Sequence, residues 1–283
     1  MGSSAPSGSP LWGLTYSPYN DDGSCPDAGA VADQLQKVAR AAKNVRLYST
    51  DCSQLRNAAQ AVSRNKLPLG IYAGIWVAGG DSRAGAEIDE LVSVAKQYGA
   101  GIIRGVGVGN EEVSKGMPVP TLLGYISRVR ARLQSEGLGG IPVYTAEQDA
   151  KFTKEMADAS DLVQVNIHAV FDPAFTNIAD SVQSVIARAA AVKSGVAGGK
   201  KVQIGETGWA SAGNIGPSPL TLGNEAAYAR QFGCAAARAG YEYFYFEAKD
   251  ALWKQAQPQS EKSFGVFDSA YTPKFDLGQL GSC

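Results

Sequence analysis

The chain has 283 residues, of which 45% are hydrophobic, enough to build the core of one large domain or two medium ones. Its 26 Lys and Arg residues nearly balance its 27 Asp and Glu residues, and no basic block is present. This balance argues against a nucleic-acid partner, because phosphate contacts need a positive surface. The longest mostly apolar stretch, LPLGIYAGIWVAG, is too short and too glycine-rich to span a bilayer, so we predict no membrane partner.

Eight β-like runs rich in Val, Ile and aromatic residues follow one another along the chain. They begin near Leu11, Asn44, Pro68, Gly101, Ile141, Leu162, Lys201 and Tyr241. Segments of helical period lie between most of them, and we interpret their apolar stripes as core packing. The stripes are Val31, Leu35, Val38 and Ala42; Ile88, Leu91, Val92 and Ala95; Leu122, Ile126, Val129 and Leu133; and Ile178, Val182, Val185 and Ala189.

Two parts of this pattern are weak. KFTKEMADAS, after the fifth run, predicts a short helix at best, and SFGVFDSAYTPKF, after the eighth, predicts an ordered tail. The opening MGSSAPSGSP shows no signal-peptide pattern. We interpret residues 1–10 as a disordered tail or a remnant of expression and exclude them from the fold.

Eightfold alternation of strand and helix predicts an α/β protein with a parallel sheet. The length suits a (β/α)₈ TIM barrel formed by residues 11–283 as a single domain. A doubly wound open sheet also fits the alternation, but it usually carries a phosphate-binding glycine loop after the first strand. This chain has YSPYNDDGSC there instead.

Polar residues collect at the carboxyl ends of the predicted strands, where barrel enzymes place their active sites. They are Tyr16, Tyr48, Asp51, Asn110, Glu111, Asn166, Glu206 and Glu247. The fourth run ends as RGVGVGNEE and the seventh as VQIGETGW, so each delivers a carboxylate to the same mouth. The chain has a single histidine, His168, and no GxSxG, GxGxxG or P-loop pattern. Any acid and base catalysis must therefore use carboxylates, and a pair of opposed carboxylates suits glycoside cleavage. We predict no cofactor and no metal.

These motifs resemble glycoside hydrolase family 17, the β-1,3-glucanases and β-1,3-glucanosyltransferases, and most of all its fungal cell-wall branch. Besides GVGNE and IGETGW, the agreement includes GLTYSPY, VRLYSTDC, VNIHAVF and YFYFEAKDALWK, in the family's order over residues 11–275. The resemblance implies that Glu111 is the acid/base, Glu206 the nucleophile and Asn110 the partner of the sugar 2-hydroxyl. It also implies retention of anomeric configuration, with carboxyl groups about 5 Å apart. His168 replaces the tyrosine usual in the sixth-strand motif.

Further sugar contacts are predicted on the same basis, each with an alternative. They are Tyr16, Tyr48, Asn166, Trp209, Glu247 and Lys254. The tyrosines could instead pack the barrel, Trp209 could be a core residue, and Glu247 could form a structural ion pair. Glu112 competes with Glu111 for the acid role, and Arg104 could pair with Glu111. We expect His168 to be a hydrogen-bonded wall of the cleft.

Four cysteines are present, with no CxxC spacing, which argues against a thiolate metal site. Cys25 and Cys52 are the preferred disulfide pair because both follow neighbouring predicted strands. Four buried thiols of a cytosolic protein remain the alternative. A disulfide favours a secreted or cell-wall location.

Several functions compete at this stage. A glucanosyltransferase acting on β-1,3-glucan oligosaccharides or polysaccharide is favoured, as a monomer, over an endo-β-1,3-glucanase. A non-catalytic carbohydrate-binding wall protein is disfavoured by the intact Glu111 and Glu206. A Schiff-base aldolase using Lys249 is disfavoured by the acidic residues around that lysine.

Overall fold

Eight parallel strands pair in chain order and close into a barrel in the computed structural model, which describes residues 11–280 and 283. The strands are Leu14–Thr15 (β1), Asn44–Arg46 (β2), Gly70–Ile75 (β3), Ile103–Asn110 (β4), Val143–Gln148 (β5), Val163–Asn166 (β6), Val202–Thr207 (β7) and Glu242–Tyr245 (β8). β1 pairs with both β2 and β8, which completes the circle and leaves no sheet edge. The predicted (β/α)₈ barrel is confirmed, and the prediction for residues 1–10 lies outside the described residues.

One helix follows each of the first seven strands and leads to the next strand. They are Ala28–Val38 (α1), Gln54–Asn65 (α2), Gly80–Tyr98 (α3), Val119–Ser135 (α4), Lys154–Ala159 (α5), Ile178–Ser194 (α6) and Leu222–Ala239 (α7). The connection after β5 holds only the six-residue α5. After β8 the described chain continues as an ordered tail with short 3₁₀ turns at Ser260–Lys262 and Leu277–Gln279. Both weak points of the sequence pattern are therefore confirmed.

The predicted apolar stripes all lie in the core, which fills the space between the helices and the barrel. α7 illustrates how local chemistry sets the bounds of a helix. The Thr221 hydroxyl accepts a hydrogen bond from the backbone N–H of Asn224 at its start. Gly240 ends it at a φ of 72°, a left-handed conformation that glycine adopts without steric cost.

The amino-terminal end of the barrel interior is filled by aromatic rings. Trp12, Tyr72 and Phe244 contact one another with ring centroids 5.0 to 5.5 Å apart, and the buried Tyr144 packs in the same cluster. A ligand therefore has access only from the opposite end, where the strands terminate.

Two disulfides tie the surface loops to the barrel. Cys25–Cys52 joins the segment after β1 to the turn after β2, with a Cα–Cα distance of 5.2 Å, which confirms the preferred pair. Cys234–Cys283 joins α7 to the last residue, with a Cα–Cα distance of 5.5 Å. Across the described residues, every helix is too short or too polar to cross a bilayer.

Candidate active site

A cleft of about 860 Å³ opens at the carboxyl ends of the strands. Its walls come mainly from the loops after β1, β2, β3, β4 and β8. The lining side chains include Tyr19, Tyr48, Asp51, Trp76, Arg83, Asn110, Lys115, Glu206, Phe246, Glu247, Trp253, Lys254 and Glu261. Aromatic rings and charged groups both line this cleft, a mixture that suits a sugar, which presents both C–H faces and hydroxyl groups.

Glu206 lies near the end of β7 and is 6% exposed. Its Oε1 atom accepts hydrogen bonds from Arg46 Nη1 at 3.0 Å and from the Tyr48 hydroxyl at 2.9 Å. Its Oε2 atom lies 3.2 Å from His168 Nε2. Arg46 of β2, and Tyr48 and His168 just beyond the ends of β2 and β6, thus supply three polar groups to one buried carboxylate.

Those contacts decide the charge of Glu206. Burial alone would raise its pKa, but the hydrogen bond from His168, the charge of Arg46 and the Tyr48 hydroxyl outweigh burial and lower the pKa to about 2. Glu206 is therefore an anion at any physiological pH, as a carboxylate nucleophile must be.

Glu111 directly follows β4 and is partly exposed. Its φ of 58° is in the left-handed region, which is strained for a residue with a side chain. Its Oε1 atom accepts a hydrogen bond from Asn166 Nδ2 at 2.9 Å, and its Oε2 atom accepts one from Gln148 Nε2 at 3.3 Å. Neutral amides from β6 and β5, and no cation among the described residues, hold this carboxyl group.

A hydrogen-bonded chain joins the two glutamates. Arg46 Nη2 donates to Asn110 Oδ1 at 2.7 Å, while its Nη1 contacts Glu206. Asn166 Nδ2 donates both to Asn110 Oδ1, at 3.0 Å, and to Glu111. Arg46, Asn110 and Asn166 therefore fix the relative orientation of the two carboxyl groups.

A family model described as the BtgE/BtgC glycoside hydrolase domain matches residues 13–265. The chain belongs to this family. The probable family 17 glucosidase SCW10 of Saccharomyces cerevisiae is 35% identical over 263 residues, which cover 91% of this chain and 64% of that protein.

Solved structures agree in fold. A glycoside hydrolase family 17 β-1,3-glucanosyltransferase from Rhizomucor miehei is 25% identical, with a TM-score of 0.81 over 94% of this chain and 97% of that one. An endo-laminarinase from Formosa Hel1_33_131 is 20% identical, with a TM-score of 0.79 over 92% of this chain and 83% of that one. At 20% identity, the likeness to the endo-laminarinase concerns the fold alone.

In this BtgE/BtgC-type domain, Glu112 was the alternative to Glu111 for the acid role, but its side chain points away from the active-site amides. It is buried, its Oε1 atom accepts from the backbone N–H of Asn110 at 3.3 Å, and its side chain packs at Gly109, where a Cβ would lie 2.6 Å from its Cγ. Arg104 is exposed at the other end of β4 and so cannot pair with Glu111. Of these side chains, only that of Glu111 reaches the active-site amides.

Glu247 and Lys254 line the cleft and form an ion pair of 2.9 Å. Burial raises the pKa of Glu247 to about 7, Lys254 opposes this shift, and the nearby charge of Glu206 adds to it. The Lys254 ammonium also lies over the rings of Phe246 and Trp253, at 4.7 and 5.7 Å. Glu247 and Lys254 therefore form the ion pair that was the structural alternative, and both also lie in the wall of the cleft.

Two predicted sugar contacts are wrong. Tyr16 is 0% exposed and its hydroxyl donates to Gln34, behind the barrel wall. Trp209 is also 0% exposed, with its indole N–H donating to the carbonyl of Pro219. A sugar can stack only on an exposed ring face, so both residues serve packing. The alternating pattern of a strand identifies which residues point inwards but not which of them reach the mouth.

Arg46 and Glu147 are functional candidates that the sequence analysis missed. Arg46 stood in the quoted VRLYSTDC, and a charge inside a predicted buried strand was the available signal. Glu147 accepts hydrogen bonds from the backbone N–H groups of Val113 and Ser114, at 2.9 and 3.1 Å, and so holds the loop after Glu111. Lys249, considered for a Schiff base, instead pairs with Asp21 at 3.2 Å.

Proposed function

We propose that this chain is a retaining glycosidase that cleaves β-1,3-glucan through a covalent bond to Glu206 and transfers the glycosyl group to a second glucan chain. The observation that carries the proposal is the unequal pair of carboxyl groups, one held as a buried anion by Arg46 and the other held by neutral amides and partly exposed. This division of roles is what a double-displacement mechanism needs.

In the first step a Glu206 oxygen forms a bond to the anomeric carbon as the glycosidic bond breaks. The Glu111 carboxylic acid gives its proton to the departing oxygen. Asn110, whose Oδ1 is occupied by Arg46 and Asn166, can turn its Nδ2 donors towards the sugar 2-hydroxyl. The 860 Å³ cleft holds the donor chain, with Tyr19, Trp76 and Trp253 as candidate stacking surfaces.

In the second step Glu111 takes the proton of the incoming hydroxyl. The acceptor must therefore bind on the side of Glu111, where Gln148 and Asn166 hold that carboxyl group. Phe171 lies in the loop after β6, the strand that carries Asn166, and is 49% exposed. Its ring lies 5.8 Å from that of His168 and 6.3 Å from that of Phe264, which support it. An exposed, supported ring at this position is our candidate acceptor platform.

The alternative is an endo-β-1,3-glucanase, in which water replaces the acceptor. Both outcomes occur among the structural neighbours, one named a β-1,3-glucanosyltransferase and the other an endo-laminarinase. The intermediate is the same, so acceptor binding decides between them. Phe171 favours transfer, because a bound sugar competes with water. Two disulfides further support a location outside the reducing cytosol, in the cell wall or secreted.

Incubation with laminarin-type oligosaccharides and sizing of the products tests this function. Products longer than the substrate are expected from the native chain. Phe171→Ala should lower the ratio of transfer to hydrolysis by about three- to tenfold, the effect of one stacking surface. Leu222→Ala, which removes an equally exposed apolar side chain at the start of α7, is the matched control. If the native chain forms only shorter products, the endo-glucanase alternative replaces the transferase, and if Glu206→Ala cleaves normally both are wrong.

A further inference from the structure

The two oxygens of the Glu206 carboxylate have different surroundings. Oε1 is held by the Arg46 guanidinium at 3.0 Å and the Tyr48 hydroxyl at 2.9 Å. Oε2 has one hydrogen-bond partner among the described residues, His168 Nε2 at 3.2 Å. An oxygen that attacks carbon must present a free lone pair, so the singly held Oε2 is the better placed of the two.

His168 is held for this contact by an apolar setting. Its ring meets those of Phe171, Phe246 and Phe264 edge to face, with centroids 5.8, 5.4 and 6.2 Å away. Nδ1 is buried and has no hydrogen-bond partner among the described residues. The tautomer is therefore set by Glu206 alone, since a carboxylate oxygen can only accept, and Nε2 must carry the proton.

We propose that His168 is a positioning residue that holds Oε2 of Glu206 as the attacking oxygen and stabilises that oxygen when the carboxylate leaves the sugar. This inference rests on the proposed function. In the first step Oε2 bonds to the anomeric carbon and gives up its negative charge. In the second step the acceptor oxygen bonds to that carbon, its proton passes to Glu111, and the electron pair of the breaking bond returns to Oε2. The Nε2–H group then faces a developing anion.

The two steps should therefore respond differently to loss of the imidazole. A donor to Oε2 stabilises the free carboxylate, so it aids the second step, in which the carboxylate is the leaving group. For the first step it improves orientation but reduces nucleophilicity, and the two effects oppose each other. His168→Phe, which suits the aromatic surroundings, should slow release from the glycosyl-enzyme about tenfold or more while changing its formation much less.

Pre-steady-state kinetics with a nitrophenyl glycoside of a β-1,3-linked disaccharide, followed by intact mass spectrometry, tests this difference. His168→Phe should show a burst and accumulate the glycosyl-enzyme, and His168→Gln, whose amide can donate to Oε2, should recover much of the release rate. Equal slowing of both steps, or equal behaviour of the two variants, would overturn the proposal. Thermal melting checks that both variants fold. If the native enzyme acts without a glycosyl group ever forming on Glu206, the proposed function itself fails.

Nitrogen NMR provides an independent test that does not depend on turnover. Because His168 is the only histidine in the chain, its ring gives a single pair of nitrogen signals. The native protein should show the proton on Nε2, and Glu206→Gln should shift that signal. A proton found on Nδ1 alone would overturn the proposed hydrogen bond, whatever the activity.

Discussion

Glu206 and Glu111 occupy similar positions at the ends of barrel strands, but their burial and their hydrogen-bond partners differ. Both glutamates lie where a strand ends, but Glu206 is buried beside Arg46 whereas Glu111 is partly exposed and meets the amides of Asn166 and Gln148. A guanidinium favours only the anion. A neutral amide can donate to a carboxylate and equally to the carbonyl oxygen of a carboxylic acid. It can therefore stay hydrogen-bonded before and after the carboxyl group transfers a proton.

Glu247 shows that burial alone does not make a carboxylate a nucleophile. It is as buried as Glu206, but its one close cation, Lys254, fails to offset desolvation, and its pKa rises to about 7. Glu206 has the same desolvation opposed by three polar partners, and its pKa falls to about 2. The number and charge of the donors decide the role of each carboxyl group.

The largest expected effects come from replacing either glutamate, and the configuration of the azide products should differ between the two variants. Glu206→Ala should abolish transfer and hydrolysis, since the covalent intermediate cannot form. Glu111→Ala should remain reactive only with substrates whose leaving group needs no proton, such as nitrophenyl or fluoride glycosides. Added azide should then give the β-azide from Glu111→Ala and the α-azide from Glu206→Ala, which NMR of the products distinguishes.

The same experiment has outcomes that would contradict the assignment. Azide products of one configuration from both variants would mean that the roles are assigned wrongly. Glu112→Ala is the matched control, because Glu112 is adjacent in sequence but buried away from the cleft. If it loses activity while Glu111→Ala retains it, the acid has been misidentified.

The next effect concerns the partners of the two glutamates. Arg46→Met removes the cation beside Glu206 and should reduce kcat/KM by on the order of a hundredfold or more. Without Arg46, burial raises the pKa of Glu206, so the acidic limb of the pH–rate profile should move to higher pH. Gln148→Ala removes one exposed amide from Glu111 and should cost only a few-fold. Equal losses from the two variants would remove the contrast drawn between the sites.

The last expected effect is on stability alone and concerns Glu247. Its folded pKa of about 7 lies above the ordinary 4.5, so folding favours its neutral form. The resulting stabilisation is full below about pH 4.5 and is lost as the pH rises to 7, by on the order of 3 kcal/mol. Urea unfolding at pH 5 and pH 7.5 should show this fall in the native chain but not in Glu247→Gln. Parallel pH dependence in the two proteins would mean that Glu247 is ionised throughout.

The sequence alone predicts the barrel because its signals are local and repeated. Alternation of strand and helix and apolar stripes such as Leu122 to Leu133 depend on residues a few positions apart. Even the exceptions, the short α5 and the tail after β8, are visible as missing periodicity.

The candidate site was predicted only in part. Glu111 and Glu206 could be named because a carboxylate at the end of a buried strand is conspicuous and because their motifs resemble a known family. Tyr16 and Trp209 were misplaced, since an aromatic residue at a strand end can point to the mouth or to the helices. Arg46 was missed because its partners, Asn110 and Glu206, are 64 and 160 positions away in the chain.

By itself, then, the sequence determined the barrel, the preferred Cys25–Cys52 pair and the two glutamates at the ends of the fourth and seventh strands. Only the tertiary structure decided how these glutamates differ, through Arg46 and His168 on one side and Asn166 and Gln148 on the other. The physical reason is the range of the forces. Backbone periodicity acts along the chain, whereas the charge of a buried carboxyl group depends on donors and desolvation from strands that meet only when the barrel closes.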